Sequence, residues 1–115
     1  MRGLIVLLAV CAAAAASCGG GSEAHRTARA KTLIANHCAA CHQVPGVAAA
    51  QGRVGPALAH IRVQQIIAGY FANSPDTLTG WIEHPQAMLP GNAMPDMELS
   101  HEQAMTIADY LYAMD

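Results

Sequence analysis

Five consecutive residues, Cys38-Ala39-Ala40-Cys41-His42, bring two thiols and an imidazole together. Three chemistries use such a cluster: a zinc clip, a redox dithiol and a haem attachment site. A structural zinc site takes four ligands, typically as two pairs. His37 and His42 flank the thiols, but no second CxxC or HxxxH occurs, and His60, His84 and His101 are single residues in unrelated settings. Redox dithiols of the thioredoxin kind open a helix after a strand, whereas this one follows a helical pattern. Haem attachment uses all three side chains. Two thiols add across the haem's vinyl groups as thioethers, and the next residue, His42, offers an imidazole nitrogen to the iron.

A sixth ligand would come from Met or His. Met105 and Met114 fall on the terminal helical pattern and read as core packing; Met88 and Met97 read as loop residues that cover a haem edge. Met94 sits in a Gly/Pro-framed loop, Pro90-Gly91-Asn92-Ala93-Met94-Pro95, stiff enough to hold a thioether. It is the expected ligand, with Met97 in reserve. His60 and His84 are the histidine alternatives, and bis-His ligation would lower the potential that a His/Met pair raises.

These residues need elements to hold them. A helix is expected over 24–37, with Ala28, Leu33 and Ile34 apolar amid Arg26, Arg29 and Lys31. Residues 43–55 form a loop punctuated by Pro45, Gly46, Gly52 and Gly55. A short helix over 61–68 would end at Gly69. Ser74-Pro75 starts another helix as N-cap and N1; Leu78, Trp81 and Ile82 share one face of it, and His84-Pro85 ends it. Residues 89–97 are irregular. Ser100-His101-Glu102-Gln103 is a capping box, followed by Ala104, Ile107, Ala108 and Leu111 at helical spacing. No segment alternates as a strand does, so the expected fold is all-α with long loops.

The chain's 115 residues point to one domain. Its 53% apolar content is inflated by residues 4–16, an unbroken apolar run behind Met1-Arg2 and ahead of Ala14-Ala15-Ala16-Ser17-Cys18. That order reads as an export signal over 1–17; the run is shorter than the roughly 20 residues a bilayer span needs. Ala15-Ala16-Ser17-Cys18 resembles a bacterial lipobox, with Ala15 where Leu is usual. Cys18 is then the lipidated residue, 18–24 a flexible Gly/Ser linker, and 25–115 the folded domain. The expected location is the periplasmic face of a bacterial membrane, or the soluble periplasm if Cys18 carries no lipid. Only Cys38 and Cys41 of the four cysteines lie in the folded part, so this is no disulfide scaffold. From Cys18 onward five Lys/Arg face eight Asp/Glu, and most of the acids lie in the C-terminal half. No basic patch suits nucleic acid; a partner docking on the acidic half would be neutral or basic. No paired carboxylates or nucleophile beside a base suggest catalysis. Five aromatics make a thin core for so small a domain, and a buried prosthetic group would supply what the core lacks.

Helix, CAACH, Gly55-Pro56, a helix with Trp81, the Met94 loop and a capped terminal helix together resemble a class I monohaem cytochrome c over about residues 25–115. The nearest pattern is the cytochrome c domain fused to subunit II of caa3-type haem–copper oxidases. The shared residues are Gly55-Pro56-Ala57-Leu58-Ala59-His60, Ile66-Ile67-Ala68-Gly69, Asn73-Ser74-Pro75, Leu78, Trp81, Pro85-Gln86, Pro90-Gly91-Asn92 and Met94-Pro95. The copper-binding domain of that subunit is absent, and 61–65 is a residue short and lacks the usual Ser-Arg, so the expectation is a free-standing relative. The resemblance implies a small cytochrome c fold wrapped around one covalent haem c. It implies that Pro56 offers its carbonyl to the ligand histidine, that Trp81 packs near or bonds a haem propionate, and that Met94 is the sixth ligand. Arg53, Arg62 and Tyr70 are further candidates to face the propionates. The implied function is one-electron transfer, not enzymatic turnover, in a bacterial respiratory chain, with a terminal oxidase or reductase as partner. A haem-based sensor or enzyme with an open sixth site, and a fixed subunit of a larger respiratory complex, are the alternatives.

Overall fold

Three helices carry the core. Helix α1 (Gly19–His37) buries Ala30, Leu33 and Ile34, and α2 (Pro75–Glu83) buries Leu78 and Ile82. The last helix (His101–Ala113) buries Ala104, Ile107, Ala108 and Leu111. Each set recurs at three- and four-residue spacing, so each lies on one helical face. The last helix packs against both of the others, and its two buried alanines leave room for that approach. The computed structural model describes residues 19–114; the expected signal segment 1–17 and Cys18 lie outside the described residues.

Local signals set most helix ends. Ser74 Oγ accepts from Thr77 N at 3.0 Å, with Pro75 at the first helical position. Ser100 Oγ accepts from Gln103 N at 3.2 Å while Gln103 Oε1 accepts from Ser100 N at 2.9 Å, which closes the capping box. Pro85 ends α2 at His84, because it has no N–H to give. Its fixed φ also suits a first turn, and the chain re-enters a single turn, α3 (Pro85–Met88), where the sequence reading marks only the end of a helix. The last helix is therefore α4.

Two expectations need correction. Helix α1 begins at Gly19, so the stretch 18–24 expected as a flexible linker is helical from Gly19 on. Extending a formed helix carries no nucleation cost, and glycine's penalty of about 1 kcal/mol does not stop it. The helix expected over 61–68 is a single 3-10 turn, Ile61–Val63, followed by a two-stranded antiparallel hairpin. In it β1 (Ile66–Ile67) pairs with β2 (Phe71–Ala72), Ile66 opposite Ala72 and Ile67 opposite Phe71. Asn73 decides this. Its Nδ2 donates to the carbonyls of Ile61 (2.8 Å) and Gln64 (2.7 Å), acceptors that a continuing helix would use, and Tyr112 Oη on α4 donates to its Oδ1 at 2.6 Å.

The hairpin turn places both central residues at positive φ, Ala68 at 52° and Gly69 at 76°, and Tyr70 N donates to Ile67 O at 3.1 Å. That is the pattern of a type I′ turn, which favours Asn-Gly. Alanine in the left-handed region is strained. Ala68→Asn is expected to raise stability by about 0.5–1 kcal/mol, read as a rise of a few degrees in Tm. An unchanged or lower Tm would count against the turn as described.

The loop 43–55 holds itself with the bonds Val47 N to Val44 O, Ala50 N to Val47 O and Val44 N to Ala50 O. It buries Val44, Val47 and Ala50 in the core. Tyr110 Oη on α4 donates to Pro45 O at 2.9 Å. Met114 packs against the core as expected, but Met105 does not: it lies on the outer side of α4 and is 42% exposed.

Candidate metal centre

The thiol–imidazole cluster continues the last turn of α1. Cys38 N and Ala39 N both donate to Ile34 O (2.8 and 3.1 Å), and Cys41 N and His42 N both donate to Cys38 O (3.1 and 2.9 Å). This coiled course keeps the three residues on one short arc of backbone. Cys38 is buried and Cys41 half-buried, and neither is in a disulfide. Burial, and secondarily the neighbouring Cys41, pushes the Cys38 thiol up to about 11. A redox dithiol works through a thiol lowered towards neutral pH, so this environment is wrong for that chemistry. Among the described residues no group of three or more His, Cys, Asp or Glu gathers to hold a metal ion, which leaves a zinc clip without its further ligands.

His42 is 8% exposed, and its Nδ1 lies 2.6 Å from the carbonyl oxygen of Pro56. A carbonyl only accepts, so Nδ1 carries the proton and donates. In the neutral ring the lone pair is then on Nε2. The bond fixes both the tautomer and the ring plane and makes Nε2 a better donor to a metal.

Two glycines make this possible. Residues 51–58 run back along the cluster, tied by Gly52 N to His42 O (3.1 Å), Gly55 N to Cys41 O (2.7 Å) and Leu58 N to Gln43 O (2.9 Å). A Cβ on Gly52 would stand 2.5 Å from the Cys41 carbonyl carbon. One on Gly55 would meet the His42 ring, 2.7 Å from Nδ1 and closer still to Cε1. Gly52 was legible in the sequence only as loop punctuation, and Gly55 also as part of the shared Gly55-Pro56; their role in seating His42 needs the backbone approach.

Met94 is half-buried in the loop after α3. Its backbone N donates to Asn92 Oδ1 and its carbonyl accepts from Gln86 Nε2, each at 2.7 Å. Asn92 Nδ2 reaches the carbonyls of Pro85 (2.9 Å) and Leu89 (2.7 Å). Gln86 and Asn92 were not singled out as functional from sequence; their only signal was a place in the shared pattern.

The sequence model of the cytochrome c family matches residues 27–115. The chain belongs to the cytochrome c family. Cytochrome c oxidase subunit 2 of Alkalihalophilus pseudofirmus (strain ATCC BAA-2126 / JCM 17055 / OF4) is 35% identical over 80 residues, covering 69% of this chain and 22% of that protein. The chain thus spans about a fifth of that relative's length. Membership brings covalently bound haem c and haem-based electron transfer.

The donor set of this cytochrome fits that group: two unbridged cysteines, a buried imidazole with its lone pair on a known nitrogen, and thioethers within the fold. Val54, Val63, Ile66 and Tyr70 are each more than half exposed on 54–70, between the His42 segment and α2. They are apolar surface that a large flat ring could cover.

The remaining candidates fall in different places. Trp81 is half-buried and stacks at a tilt on Phe71, ring centroids 5.8 Å apart. Tyr70 is exposed and also tilts against Phe71, ring centroids 6.4 Å apart. Arg53 and Arg62 are exposed and form no ion pair with other described residues. Met97 packs against the core, and Met88 Sδ lies beside Gly80 on α2. His60 is exposed in a left-handed conformation ahead of the 3-10 turn. His84 Nε2 faces Glu83 Oε1 at 3.3 Å, and Glu83 Oε2 also meets His101 Nδ1 at 2.8 Å. Cys18 lies outside the described residues.

Proposed function

We propose that this cytochrome is a one-electron carrier and not an enzyme, with haem c held by thioethers to Cys38 and Cys41 and its iron by His42 and Met94. The observation that carries the reading is the His42 bond to Pro56, which leaves a buried imidazole with its lone pair on Nε2. The haem supplies the Fe(III)/Fe(II) couple. The chain's residues do the rest: Pro56 orients the ring, Gly55 gives it space, and the 89–96 loop holds the thioether. A neutral Met paired with His as iron ligands would raise the potential of the bound haem. Trp81 is assigned to the propionate side, with Arg53, Arg62 and Tyr70 as secondary candidates, and Met97 is the reserve ligand.

The name of the relative supports a terminal oxidase as redox partner; a reductase would stand on the other side. Export with Cys18 lipidated would hold the domain at the periplasmic face of a membrane. Tethering raises the effective concentration near membrane complexes. Without the lipid the same domain would be a soluble periplasmic carrier. A subunit fixed in a respiratory complex is the second reading, favoured by that same relative, and it predicts purification only with a large membrane assembly.

The test is an absorption spectrum of protein made in a host with c-type maturation, oxidised and reduced, for wild type and Met94→Ala. A c-type reduced spectrum with a far-red Fe(III)–Met band that vanishes in the variant is the expected result. A haem spectrum without that band, binding carbon monoxide readily, would replace the carrier by a sensor or enzyme with an open sixth site. Absence of haem would overturn the reading of Cys38, Cys41 and His42 as its attachment residues.

A further inference from the structure

Two carboxamides hold the loop that carries Met94 with three hydrogen bonds each, Asn92 from inside the loop and Gln86 from the helix before it. Gln86, on the one-turn helix α3, donates from Nε2 to the carbonyls of Asn92 (2.9 Å) and Met94 (2.7 Å), and its Oε1 accepts from Gly91 N at 3.1 Å. Its own backbone N donates to Asp96 Oδ1 at 3.2 Å, at the far end of the loop. The half-buried carboxamide thus spans residues 91–94 from within, and the backbone link to Asp96 closes the ring. None of residues 89–96 belongs to the core cluster or to the hydrophobic residues packed against it, so the loop opens on a local scale set by these bonds.

We propose that Gln86 is the positioning residue for Met94: its carboxamide sets how often the loop opens and therefore how readily another molecule reaches the iron in place of the thioether. This rests on the reading of Met94 as the sixth ligand. Each neutral hydrogen bond shifts an opening equilibrium by roughly fivefold. Gln86→Leu removes three. Gln86→Glu keeps the acceptor for Gly91 N but sets a carboxylate against two carbonyls.

The experiment uses haem-loaded protein: wild type, Gln86→Leu, Gln86→Glu, Met94→Ala, and Ile107→Val as a core substitution far in sequence from the loop. Stopped-flow binding of imidazole to the ferric form is the first readout. The far-red band is the second, and amide hydrogen exchange at Gly91 the third. Binding is expected to speed up roughly ten- to a hundredfold in Gln86→Leu and by at least several-fold in Gln86→Glu. Ile107→Val should leave it unchanged although it lowers Tm. Gly91 exchange should accelerate in both Gln86 variants, and more in the Leu variant, which also loses the acceptor for Gly91 N. Imidazole rates equal to wild type in both Gln86 variants would overturn the proposal, as would Ile107→Val speeding binding as much as they do. If Gln86→Leu does not fold, the Glu variant alone decides by the same rates. A far-red band that survives Met94→Ala would instead overturn the ligand assignment, a failure distinct from unchanged rates in the Gln86 variants.

Discussion

Gly55→Ala is expected to lower Tm of the haem-loaded protein by roughly 10–20 °C and to cut haem incorporation. The added methyl has no free space: it would overlap three atoms of the His42 imidazole, with Nδ1 at 2.7 Å and Nε2 at 2.9 Å. The ring is 8% exposed and cannot swing out without losing its bond to Pro56. Either the ring moves or the backbone of 52–58 does, and the second route breaks Gly55 N to Cys41 O. Overpacking costs about 1–3 kcal/mol and a broken hydrogen bond about 1 more. For a domain of this size each kcal/mol is worth about 4–8 °C. The cause is space and not backbone angle, because Gly55 is absent from the positive-φ glycines. Gly69→Ala makes the contrast. Gly69 has φ +76° but nothing within 4 Å of a new Cβ, so its cost is backbone strain alone, about 1–2 kcal/mol. Thermal unfolding and the ratio of haem to protein absorbance measure both. A Gly55→Ala protein as stable and as fully loaded as wild type would mean that His42 does not lie against this backbone.

Ile107→Ala is the second large effect. Ile107 is 1% exposed on the α4 face that joins α1 and α2. Truncating a buried isoleucine costs about 2–5 kcal/mol through lost burial and the cavity left behind, so a fall in Tm of roughly 15 °C is expected. The far-red band and the potential should not move. Met105→Ala, two residues away on the exposed side, should stay within about 0.5 kcal/mol of wild type. Equal losses at the two positions would contradict the facing of α4.

What was legible locally follows from how short the interactions are. Ser74 caps Thr77 and Ser100 caps Gln103, each across three residues, so the residue types at those spacings suffice. The hairpin at 66–72 was not legible, because Asn73 is steered by Tyr112 from 39 residues away. The turn α3 was read as a helix end because proline stops one helix and starts another with the same ring geometry. Met105 followed the helical spacing of α4 but falls outside its buried stripe, which only the positions of α1 and α2 fix.

The sequence by itself determined the chemistry of this cytochrome. Two thiols and an imidazole in five residues, a methionine between Pro90 and Pro95, and two capped helices are all statements about neighbours along the chain. The tertiary structure decided where that chemistry sits. Pro56 comes within 2.6 Å of His42 across 14 residues, Gly52 and Gly55 let the backbone close on the cluster, and Gln86 bridges to Met94 across eight. Those contacts depend on directions in space that no residue type encodes alone. The tautomer of the imidazole and the grip on the methionine loop therefore belong to the fold.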